Sequence, residues 1–101
     1  SRAAGMTLTN AMSKDLGKDC IRVNTVCIGL IRSEQIEKMW KSKFSHLSWE
    51  EFSQLPEHRI PLGRIGDANE SANVISFLVS DAASYITGTS VNIDGGKGEA
   101  L

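Results

Sequence analysis

Few side chains in this sequence could do chemistry, and they are widely spaced. His46 and His58 stand twelve positions apart. No cysteine or carboxylate accompanies them at metal-ligand spacing, so no metal site is expected. Gly95-Gly96-Lys97-Gly98 has the composition of a loop that cradles phosphate. No strand-to-helix context follows it, and it reads as a tail turn. Asn69-Glu70-Ser71 has the form of a glycosylation acceptor but falls inside a helical pattern, so modification there is not expected. Cys20 and Cys27 sit seven apart in a strand-like run, a spacing that sends them to opposite faces. A disulfide between them is not expected, and a reducing cytoplasm suits them better.

The totals narrow the choice of partner. With 101 residues, 41% hydrophobic and 23% charged, the chain has the usage of an ordinary globular domain or a piece of one. Its formal net charge is −1, which leaves no basic surplus for a phosphate backbone, so nucleic acid is excluded as a partner class. The apolar runs are far shorter than the roughly 20 residues of a membrane span, and no secretory signal opens the sequence. The first residues already read as helix interior, without a starting methionine or a linker. The sequence is therefore expected to have been cut from something longer.

The elements that must position any site follow from periodicity. Ala4, Leu8, Ala11, Met12 and Leu16 recur at helical spacing over 2–18. Ala3, Met6 and Leu8 widen that surface, so the helix wants two partners. Gly17 is the expected stop. Residues 20–28, rich in β-formers and closed by Gly29, predict a strand buried on at least one face. Residues 30–63 hold both tryptophans, both histidines and both prolines. Two short helices are expected there, near 34–44 and 49–55, the second opened by a Ser48/Glu51 capping box. Ser33 is a candidate cap for the first. An excursion of this length is more often a lid or binding segment than core. A helix over 67–80 is expected, with Asp67 and Glu70 at its start and Ala68, Ser71, Ala72, Ile75, Leu78 and Val79 on one face. A short strand over 89–94 closes the pattern. Helix, strand, helical insertion, helix, strand implies an α/β chain with a parallel sheet, and two strands alone do not make a stable one.

Three stretches together resemble the short-chain dehydrogenase/reductase family. The first is Ile21-Arg22-Val23-Asn24 leading to Ile28-Gly29-Leu30-Ile31-Arg32-Ser33. The family pattern there is Ile-Arg-Val-Asn, then Pro-Gly-x-Ile-x-Thr. The second is Pro61-Leu62-Gly63-Arg64-Ile65-Gly66, with Glu70, Ala72 and Phe77-Leu78-Val79-Ser80 following. The third is Tyr85-Ile86-Thr87-Gly88-Thr89, ending in Val91-Asn92-Ile93-Asp94-Gly95-Gly96. Together with the opening helix they cover nearly the whole chain except the insertion.

The resemblance implies the C-terminal part of a doubly wound parallel-sheet, Rossmann-type domain spanning 1–101, with a helical substrate lid at about 34–60. It implies an alcohol–carbonyl oxidoreductase using NAD or NADP on a small-molecule substrate, cytoplasmic, and a homodimer or homotetramer. The family's glycine-rich phosphate turn and its catalytic serine and tyrosine lie upstream, so the 101-residue chain alone should not turn over. Arg2, in Arg2-Ala3-Ala4, falls where the family often has Lys-Ala-Ala. Arginine keeps the charge that lowers a tyrosine pKa, but it does not deprotonate and its fork is wider than an ammonium. Ile28 replaces the proline of the Pro-Gly pair. By the same analogy Ile28, Gly29 and Ile31 border the nicotinamide, the hydroxyl of Ser33 stands in for threonine, and Met39 and Trp40, with Phe44 and Trp49, belong to the substrate lid. The self-packed lid, the strand-end turn and the helix cap stay open as plainer readings of those residues. A non-catalytic cofactor-binding relative and a subunit-assembly role remain alternatives, the former motivated by Arg2.

Overall fold

The computed structural model describes residues 2–98. They divide into two compact units, one running to Cys27 and resuming over Ala72–Asn92, the other comprising Ile28–Ser71 and resuming at Ile93.

In the first unit, α1 (Arg2–Leu16) leads through a short 3-10 turn to β1 (Thr25–Ile28). The α-helix stops at Gly17 as expected, but glycine is not the left-handed residue of the turn that follows. The left-handed residue is Cys20, φ 59°, whose N–H donates to the Gly17 carbonyl at 3.0 Å while Ile21 N–H reaches back to Leu16 at 3.2 Å. A non-glycine residue there is uncommon. It is also why the strand begins at Thr25 rather than at 20. Residues 22–24 are engaged elsewhere: Val23 N–H donates to Thr87 Oγ1 at 3.0 Å, Gly88 N–H donates to the Val23 carbonyl at 2.7 Å, and Asn24 bonds Ile86 and Thr89 through its amide.

Strand β2 (Ser90–Ile93) pairs with β1. Thr25 N–H meets the Thr89 carbonyl and Gly29 N–H meets the Ile93 carbonyl, both at 2.9 Å. Both strands advance by the same four residues between these bonds, so the pair is parallel.

The face that α1 buries differs from the expected apolar one. Thr9 and Ser13 are buried, while Leu8, Met6 and Met12 are exposed. Close approach decides this. Thr9 Oγ1 hydrogen-bonds Thr25 Oγ1, and a Cβ on Gly88 would lie 2.6 Å from Ser13 Oγ. Only small side chains fit such a seam. Helix α4 (Ala68–Val79) ends in this unit. Its last turn carries no basic residue, and Arg22 supplies one by donating to the Leu78, Ser80 and Ile86 carbonyls at 2.7–3.3 Å. Leu78 is buried, but Ile75 and Val79 of the expected apolar face are exposed. With Val26 they line an open hollow.

The second unit contains the insertion. Helices α2 (Glu34–Lys43) and α3 (Trp49–Ser53) form near where periodicity places them. Ser33 caps α2, its Oγ accepting from Ile36 N–H at 3.2 Å. The Ser48/Glu51 box at α3 is reciprocal, with both bonds made at 2.9–3.1 Å. Phe52 is wholly buried and Ile65 nearly so. No helix among the described residues is long and apolar enough to cross a membrane.

Candidate functional site

The second unit builds its site from the C-terminal end of β1. Ile28 closes the strand and is exposed. Gly29 follows, with its N–H taken by the neighbouring strand. A Cβ there would stand 2.7 Å from Asp94 Cβ and 3.0 Å from its Cα. The requirement for glycine at 29 is therefore set by Asp94. Ile31 forms a parallel bridge with Gly66. Gly66 N–H donates to Leu30 at 3.1 Å and Arg32 N–H donates to Gly66 at 2.8 Å. In such a bridge the amide and carbonyl of Ile31 itself point the other way, away from residue 66. One donor and one acceptor are thus presented side by side. Ser33 is exposed, and while its oxygen accepts the cap bond its hydroxyl hydrogen can still be donated.

Arg2 lies in the first unit, half-buried in the opening turn of α1. In the second unit, Met39 is partly exposed on α2. Trp40 is engaged in self-packing: its Nε1–H donates to the Leu47 carbonyl at 2.9 Å and its ring meets Trp49 edge-on at 5.5 Å. Phe44 and Trp49 both stack against Phe52.

Arg32 was not singled out by sequence. Its Nε donates to Glu37 at 2.7 Å and its guanidinium lies 4.3 Å from the Trp49 ring centroid. The available signal was a cation at the helix start followed by two tryptophans.

The glycine-rich tail turn carries its own anion. Asp94 accepts from Gly96 N–H at 3.0 Å and from Gly98 N–H at 3.1 Å. Those amides, which a phosphate would need, are already satisfied. Lys97 donates to the His58 carbonyl at 2.7 Å, and a Cβ on Gly95 would strike Ile60 at 2.6 Å, so the turn clasps the 58–62 segment. His58 Nε2 lies 2.7 Å from the Phe52 carbonyl, and its ring meets the Phe52 ring edge-on. Among the described residues no group of three or more His, Cys, Asp or Glu gathers at metal-binding distance. Cys20 and Cys27 are both free thiols.

Glu70 holds the start of α4. Arg64 grips it with two bonds of 2.8 Å, and Asp67 N–H donates to it at 2.9 Å. The Arg64 bonds first, and the Asp67 amide second, pull its carboxyl from the ordinary 4.5 to about 2. A depressed carboxylate contributes stability above its unfolded pKa and loses it as pH falls through the folded one. Thermal melts of the protein and of Glu70→Gln should therefore differ fully above about pH 4.5 and converge towards about pH 2. A constant difference across that window would contradict the pairing.

Comparison with known proteins places this geometry. Residues 1–97 match the family model described as enoyl-(acyl carrier protein) reductase. A 3-oxoacyl-[acyl-carrier-protein] reductase of Thermotoga maritima is 41% identical over 97 residues, covering 95% of this chain and 35% of that protein. An uncharacterized oxidoreductase of Bacillus subtilis is 39% identical over 89 residues, 88% of this chain and 32% of its own length. A short-chain oxidoreductase of Pseudomonas aeruginosa, described as containing an atypical catalytic center, superposes in its apo form with TM-score 0.88 at 31% identity, covering 99% of this chain and 39% of that one. Its NADPH-bound form gives 0.82. The chain thus spans about a third of the length of the curated relatives it matches. Its α/β architecture is the C-terminal part of a doubly wound, Rossmann-type parallel-sheet fold. With the match running almost from end to end, the chain belongs to the short-chain dehydrogenase/reductase family.

Proposed function

We propose that this chain is the C-terminal third of an NAD(P)-dependent oxidoreductase that interconverts an alcohol and a carbonyl on a small-molecule substrate. The observation that carries this is the turn at the carboxyl end of the parallel pair, where α/β folds of this kind bind their ligands. The residues fit a nicotinamide. Ile31 offers a paired donor and acceptor, which is what a carboxamide needs. Gly29, its amide already used, has only its carbonyl to give, and Ser33 has a hydroxyl hydrogen to donate. Ile28 would border the ring in place of proline. When bound, the cofactor supplies or accepts the hydride. Arg2 would hold a positive charge near the acid/base tyrosine that the family carries four residues upstream. Met39 and Trp40 belong to the lid segment, Met39 with its side chain accessible and Trp40 as its scaffold.

The reading includes a cytoplasmic homodimer or homotetramer with neither nucleic acid nor membrane as partner. The exposed Met6, Leu8 and Met12 of α1 support the assembly.

The test is to titrate the intact protein with NADPH and NADH by cofactor fluorescence, then assay a panel of cyclic and straight-chain ketones. Saturable binding and turnover are expected from the intact protein and no turnover from the isolated 101-residue chain. Failure to bind either nucleotide, or turnover by the isolated chain, would refute the proposal. Arg2 favours a second reading, a relative that binds cofactor without turnover. An apolar residue four positions before Arg2 in the full gene would favour it, and tyrosine there would favour catalysis.

A further inference from the structure

We infer that Arg32 is a positioning residue that ties both insertion helices to the 28–33 turn, so that the turn proposed to hold the nicotinamide also sets the substrate-facing segment. This rests on the oxidoreductase reading above.

The backbone of Arg32 is part of the turn, with its N–H fixed to the Gly66 carbonyl at 2.8 Å. Its side chain leaves the turn and meets both helices. On α2, Glu37 accepts from Nε at 2.7 Å and the Trp40 ring centroid lies 5.9 Å from the guanidinium carbon. At the start of α3, the Trp49 ring lies 4.3 Å away. Trp40 and Trp49 also touch each other, so one flat cation closes a three-sided cluster. Glu37 and Trp40 are three apart and share a face of α2.

An exposed ion pair alone would count for little. Here the same guanidinium bonds a carboxylate through its edge and stacks on an aromatic ring through its face, which a lysine ammonium cannot do at once. Arg32 borders two open hollows, one of about 400 Å³ lined also by Ser33, Asp67 and Asn69, the other of about 320 Å³ lined also by Trp49, Gln54 and Arg64.

The test uses the intact protein and Arg32→Ala, Arg32→Lys and Glu37→Gln. Trypsin cleavage at Lys38, Lys41 and Lys43, mapped by mass spectrometry, reads the opening of the segment. In Arg32→Ala it should accelerate about tenfold, because cleavage follows the population of the open form. The KM for a ketone that the wild type reduces should rise about tenfold, with kcat and the NADPH dissociation constant each changing less than about twofold. Arg32→Lys should recover part of both effects. Glu37→Gln, which spares the turn itself, should move both in the same direction by a smaller factor. Unchanged cleavage in Arg32→Ala and Glu37→Gln would overturn the inference. So would NADPH affinity falling as much as KM rises, which would make Arg32 part of the cofactor site only. A wild type that binds no NADPH would instead refute the oxidoreductase reading, and the cleavage rates would still decide whether Arg32 holds the segment.

Discussion

Phe52→Ala is expected to destabilise the second unit by about 3–5 kcal/mol, the usual cost of emptying a buried aromatic site. Phe52 is 0% exposed. Its ring is packed by Phe44, Trp49 and His58 at centroid distances of 5.3, 5.7 and 5.0 Å. Its carbonyl lies 2.7 Å from His58 Nε2, so the backbone there is pinned as well. The insertion has no other wholly buried large side chain among the described residues. Collapse around the gap is restrained on two sides, because the Ser48/Glu51 cap fixes the helix start at Trp49 and Lys97 bonds the His58 carbonyl. Phe52→Leu, which keeps much of the volume, should cost less than about 1.5 kcal/mol. Urea unfolding of the intact protein measures both. A loss below about 1 kcal/mol for the alanine variant would mean that the insertion does not depend on this cluster.

In the intact enzyme, on the proposed reading, Arg2→Gln should lower kcat by about 100-fold or more, the scale of lost acid–base assistance. Glutamine keeps a hydrogen-bonding donor on a shorter stem and removes the charge. A cation beside a phenol favours its ionised form, so without one the acid/base group titrates at higher pH. The pH–rate profile should therefore move to the alkaline side in Arg2→Gln and return in Arg2→Lys. Full kcat and an unmoved profile in the glutamine variant would remove Arg2 from the reaction and leave it a helix-start arginine.

What the sequence discloses and what it conceals divide on the range of the interaction. The caps at Ser33 and Ser48 are local, three-residue signals, and both were readable. The start of α4 at Ala68 was readable for the same reason. The true beginning of β1 was not. Residues 22–24 lie in a run with strand propensity, but their bonds go to residues 78–89, and no local window contains that information. The buried face of α1 was misread because packing against Thr25 and Gly88 selects small Thr9 and Ser13 over larger Leu8 and Met12. At the site, Gly29 follows the strand end and Ser33 caps the helix, as the plainer reading of those residues has it. The partner that demands glycine at 29, Asp94, lies just past the other strand, and the role of Arg32 depends on tryptophans brought to it by folding.

The reach of Arg22 has a consequence for how the polypeptide is made. Its guanidinium is completed by carbonyls 56 to 64 positions later. At ribosomal speeds of about 5–20 residues per second, that charge waits roughly 3–13 s for its acceptors to emerge. Throughout that interval α1 has no finished seam, since Gly88 and its neighbours are also still unsynthesised. The aromatic cluster of 44–58 needs only nearby residues and can close early. A nascent chain stalled before Ser80 would leave Arg22 without its Ser80 and Ile86 carbonyls and α1 without its partner at Gly88, the kind of unfinished packing that chaperones recognise and that aggregates when they are absent.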